Sequence, residues 1–233
     1  MKKNNLKGKL AGLGAAAVVG AAAIFGGVQI HKNNQEKEAL AAQKQALITQ
    51  IYSNPSLNGV QSYVYSDELR ALQILINAQL PADKKIDEDG FLPNTDHGRR
   101  KLAQFELALD DLSNAQLQAL GKNLSEKIDM TILDCWAKGD VSNDARATFN
   151  RMIQRRAEQN NNDGSATMEI QRALNAMGAR LGVDGSFGPK TQQALDRVFS
   201  SKEGIQAFAQ HYKAERLRNQ NARMQMLQQA QGR

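Results

Sequence analysis

Apolar positions recur every three or four residues through most of this chain, a period that predicts helices rather than strands. From 31 to 53 the pattern is shallow, with Gln, Ala and Lys dominant, and predicts a polar helical stalk. NPSLNG at 54–59 interrupts it. Ser66 precedes Asp67 and Glu68 and predicts an N-cap for a helix reaching Leu80. After a loop over 81–96, helical spacing returns at 102–109, 114–120, 125–136 and 143–158. QNNNDGS at 159–165 has the composition of a linker.

A second amphipathic pattern follows the linker. Ile170, Leu174 and Met177 share one helix face, and Gly178 stands where a helix ends in a left-handed residue. Val183, Asp184 and Gly185 predict a turn in which Asp bonds forward amides and Gly takes positive φ. Phe187 is expected to plug a small core. Pro189 suits the first turn of a new helix, whose apolar side is Ala194, Leu195, Val198 and Phe199. Beyond that, a further helix or two runs into a basic, Gln-rich tail at 213–233.

The N-terminus sets the expected compartment. Lys2, Lys3, Lys7 and Lys9 precede the run 10–30, which has no charge and would span about 31 Å as a helix. Its seven Ala and five Gly make it only marginally hydrophobic. One reading is an uncleaved signal anchor with its N-terminus in the cytoplasm. The other is a secretory peptide cleaved after Ala21, Ala22 and Ala23. The apolar run continues past that site, which favours the anchor. Both readings export 31–233, so inner membrane contact through the first helix, or secretion, is expected.

Charge adds less than its total suggests. The net +6 is concentrated in the four leading lysines and the tail, while 31–199 carries 20 basic and 22 acidic side chains. No nucleic-acid partner follows from it. The lone Cys135 leaves an exported chain without an internal disulfide. His31, His97 and His211 are isolated, so no zinc set is expected, and LDCWAKG has no nucleophile signature. Glu68, Glu106 and Glu126 are the carboxylates left for a muramidase-like alternative.

The ordered set Ile170, Gln171, Leu174, Asn175, Gly178, Val183, Asp184, Gly185, Phe187, Gly188, Pro189, Thr191, Ala194, Leu195 and Phe199 resembles the peptidoglycan-binding-like domain family. That family is a three-helix module often appended to cell-wall hydrolases. The resemblance covers about a fifth of the chain and implies a small all-α domain over 166–212 that binds wall polymer. Turn-making accounts for Asp184, Gly185, Gly188 and Pro189. For contact with sugar or stem peptide the resemblance offers Gln171, Arg172 and Asn175, together with Asp184, Gly185, Phe187, Gly188 and Thr191. No cofactor and no metal are implied.

An echo of this pattern lies earlier. Leu72, Gln73, Ile76 and Asn77 repeat the spacing of Ile170, Gln171, Leu174 and Asn175. Asp89, Gly90 and Phe91 offer a second turn, Pro93 and Thr95 echo Pro189 and Thr191, and Leu102 and Phe105 close the unit. A degenerate copy over 66–107, with a first loop three residues longer, is one reading. An amphipathic helix before a polar loop is the other. Aligned as a calcium loop, the same segment places Lys85 at the first ligand position, which opposes a cation.

The expectation is an all-α protein: membrane or signal helix at 1–30, stalk at 31–60, central helical region at 61–158, linker, wall-binding module and tail. Its expected role is non-catalytic peptidoglycan binding in the bacterial envelope, in the periplasm or outside. A wall hydrolase and a periplasmic interaction scaffold are the alternatives.

Overall fold

The computed structural model describes residues 29–57, 65–91, 96–159 and 162–231. The predicted membrane or signal helix therefore lies outside the described residues, apart from its last two positions. Pro93, Thr95 and linker positions 160 and 161 lie outside them too. No described helix is long and apolar enough to cross a membrane.

The described chain is all-α. Its helices are α1 Gln29–Tyr52, α2 Asp67–Asn77, α3 Asp96–Asp111, α4 Asn114–Gly121, α5 Leu124–Ala137, α6 Ala145–Gln159, α7 Ser165–Ala176, α8 Pro189–Val198 and α9 Lys202–Gln231. Short 3-10 turns at Pro55–Leu57 and Ala82–Lys84 complete the described elements. Ser66 caps α2, accepting from the Leu69 N–H at 3.2 Å. Ser113 and Gln116 form a reciprocal capping box at the start of α4. Contacts divide the chain after Ala39, and 40–233 form one unit around a continuous apolar core.

The longest helix holds that unit together. Along α9 the buried positions Ile205, Phe208, Ala209, Tyr212, Glu215 and Arg216 follow helical spacing, so its first half presents a single inward stripe. That stripe packs on α5 and α7, and α2 also packs on α5. An aromatic cluster fills the junction. Phe149 of α6 lies 5.2 Å from Phe199, 5.3 Å from Phe208 and 5.7 Å from Tyr212, and Trp136 of α5 meets Phe199 edge-on.

Beside these rings runs a buried ionic cluster. Arg151 donates two bonds to Glu68, at 2.8 and 3.1 Å, and Arg155 pairs with Asp129 at 2.8 Å. Arg156 pairs with Glu169 at 2.6 Å, and Arg216 reaches both Glu126 and Asp129. The charges come from α2, α5, α6, α7 and α9. Buried carboxylates need such partners, because an unpaired charge in the core is costly.

Asp67, at the start of α2, is a separate buried acid. Burial pushes its carboxyl above the usual range, outweighing hydrogen bonds donated by the Ser142 and Tyr65 hydroxyls. The folded state then holds a proton that the unfolded chain releases near pH 4. The contribution of Asp67 to stability should fall as pH rises from about 4 through its raised folded value. Asp67→Asn should flatten that slope in urea titrations at several pH values; an unchanged slope would contradict it.

Candidate functional site

The site begins with two amides on α7. Gln171 is buried, and its carbonyl accepts from the N–H groups of Asp184 and Gly185, both at 3.1 Å. Its NH2 donates to Asp184 Oδ1 at 2.8 Å and to the Ser186 carbonyl at 3.0 Å. One turn later, Asn175 donates to the Leu181 carbonyl at 2.8 Å and accepts from the Leu181 N–H. Together these bonds clamp 181–186 onto α7. Gly185 sits at φ +76°, and its Cα face lies so close to Gly164 that an added Cβ would meet the Gly164 carbonyl at 3.2 Å.

The same clamp occurs on α2. Gln73 accepts from the Gly90 N–H at 2.8 Å and donates to Asp89 and to the Phe91 carbonyl. Asn77 donates to the Ile86 carbonyl at 2.7 Å and accepts from its N–H at 2.9 Å. Gly90 takes φ +73° against the carbonyl of Ser66, as Gly185 does against Gly164. Each contacted carbonyl belongs to the residue capping its helix. The extra residues of the first loop fall between Asn77 and Ile86, where the turn Ala82–Lys84 takes them up.

The predicted contact residues separate into two sets. Gln171, Asn175 and Thr191 point into the module, and the two amides are engaged by its own backbone. Arg172, Asp184 and Phe187 lie on the outside. The Gln171 amide and the Ser186 N–H hold the Asp184 carboxyl below the usual carboxylate range. Gly188 has an extended backbone, and an added Cβ there would meet nothing within 4 Å. Phe187 corrects an expectation: it is 44% exposed instead of plugging the core. Because the clamp draws 181–186 onto α7, Leu181 and Thr191 fill that end, and the chain reaches Phe187 on the outer side.

A groove of about 480 Å³ opens on the flank of this loop, between 177–181, α8 and Gly204. Leu174, Met177, Ala194 and Val198 supply its apolar surface, and Arg180, Lys190 and Arg197 line it. These cations were not singled out by sequence. The available signal was Lys190 and Arg197 seven apart on one helix, with Arg180 just beyond Gly178.

The central region has its own polar cleft of about 450 Å³, lined among others by Asn54, Ser125, Glu126, Arg156, Asn219 and Gln220. Glu126 is the only carboxylate among the described residues lining it, and Arg156 and Arg216 flank it. Glycoside hydrolysis in its usual form needs two carboxylates facing one bond. Glu68 is buried against Arg151, and Glu106 lies exposed on α3. Burial pushes the Cys135 thiol up, which disfavours the nucleophilic thiolate. Among the described residues, no group of His, Cys, Asp and Glu is placed to hold a metal ion.

The chain matches no family model, no curated protein and no solved structure. What defines it is therefore its own architecture: an all-helical protein in which a Gln–Asn clamp pins an acidic-glycine turn twice.

Proposed function

We propose that this is a non-catalytic peptidoglycan-binding protein of the bacterial envelope. Residues 166–212 (α7, α8 and the start of α9) would act as its wall-binding module. The observation that carries the reading is the clamped loop, which is fixed to α7 yet presents Val183, Asp184 and Phe187 to solvent. An exposed aromatic ring three residues along the chain from an exposed carboxylate suits a sugar, whose apolar face can stack while its hydroxyls bond to charged groups. Pre-organisation of the loop lowers the entropy lost on binding. The resemblance of the same residues to wall-binding modules supports the reading. The uncharged run at 10–30 would place the module at the inner membrane facing outward, or release it if cleaved.

Co-sedimentation with purified insoluble sacculi tests this. The chain should pellet with sacculi, and Phe187→Ala should weaken binding about tenfold with its melting temperature unchanged. No enrichment over an unrelated protein would overturn the proposal. So would equal binding by the variant, for the role given to this face.

A further inference from the structure

We propose that the groove between 177–181 and α8 binds a short extended peptide through its free carboxylates. In the wall-binding setting above, that peptide would be a stem peptide. The proposal rests on that reading only for the ligand's source.

Charge is the first argument. Arg180, Lys190 and Arg197 line the groove, no carboxylate does, and none of the three is in an ion pair among the described residues. Placement is the second. Arg180 has φ +56°, a left-handed conformation that favours Gly or Asn, and Asn175 fixes it there by gripping Leu181 on both backbone groups. Lys190 stands in the first turn of α8, where the helix dipole disfavours a cation. Two of the three charges thus sit where folding alone would not put them. Local rules broken in this way mark functional positions. Arg197, in the last turn, agrees with the dipole and is uninformative on this point.

Spacing identifies the ligand. Lys190, Ala194 and Arg197 follow helical spacing on one face of α8, so the Cα atoms of the two cationic residues stand about 10 Å apart along its axis. An extended peptide advances about 3.3 Å per residue, so carboxylates three residues apart match them. Arginine's planar fork favours carboxylate. The apolar surface of Leu174, Met177, Ala194 and Val198 between the cations takes small apolar side chains, which a phosphate polymer does not offer.

Calorimetry on the full chain tests this with the tetrapeptide Glu-Ala-Ala-Glu, its carboxamide analogue Gln-Ala-Ala-Gln-amide, and inorganic phosphate. The acidic peptide should bind at least about tenfold more tightly than either control. Arg180→Gly and Lys190→Gln should each weaken it roughly fivefold without lowering the melting temperature, since both relieve a local conflict. Phosphate binding as tightly as the peptide, or wild-type affinity in both variants, would overturn the proposal. Sacculi separate the two readings. Sedimentation without peptide binding removes the groove site and leaves wall binding standing. Peptide binding without sedimentation does the reverse.

Discussion

Replacing Arg216 by Met should lower the unfolding free energy by about 3–5 kcal/mol, whereas Arg223→Met should change it by no more than about 1 kcal/mol. The two arginines lie about two turns apart on α9, in a segment that reads from sequence as a basic tail. Arg216 is 1% exposed and reaches Glu126 and Asp129 on α5. Arg223 lies exposed on the same helix. The first change leaves the nearly buried carboxylate of Asp129 with Arg155 alone, and removes a cation from beside Glu126. A buried charge that loses its partner cannot turn to water, so the loss exceeds what the pair contributes net. Arg223 is already in solvent, so its loss strands no buried charge. Urea titrations of the two variants check this. Equal losses, or a loss below about 1 kcal/mol for Arg216→Met, would mean that the cluster does not pin α9.

That contrast shows what the sequence could and could not reveal. Helical period announced the all-α class, because it reports each helix's own inward stripe. Ser66 announced its cap, since capping needs only neighbours within one turn. Arg216 gave no such sign. Its partners Glu126 and Asp129 lie on α5, far back in the chain, and a long helix rich in Gln and Arg looks like a solvated one. Phe187 misled for a related reason. An aromatic residue in a turn is ordinarily core, and only the pull of Gln171 and Asn175 on the preceding loop turns it outward. Those two amides were visible as a spacing shared with Gln73 and Asn77. A polar residue on a helix can bond to sugar, to water or to the protein's own backbone, and periodicity does not distinguish these. The groove cations depend on three segments meeting, which no local pattern records.

The amide clamp leads to the second large effect. Gln171→Leu should destabilise the protein by about 2–4 kcal/mol, four lost hydrogen bonds at about 0.5–1 kcal/mol each, since water reaches the groups released on the exposed loop. Leucine is no smaller than glutamine, so the change opens no cavity. The loss should also be local. Amide hydrogen exchange should show Asp184 and Gly185 losing protection in Gln171→Leu, while Gly90 keeps its own. Gln73→Leu should produce the mirror result, exposing Gly90 and sparing Gly185. Each clamp closes on the loop that follows its own helix, so neither should depend on the other. If Gln171→Leu left Gly185 protected, the loop would be held by the packing of Leu181 and Thr191, and its rigidity would not derive from the amide. If both turns opened together in either variant, the two clamps would be one cooperative unit. The face carrying Phe187 would then be tied to the central helices as much as to its own module.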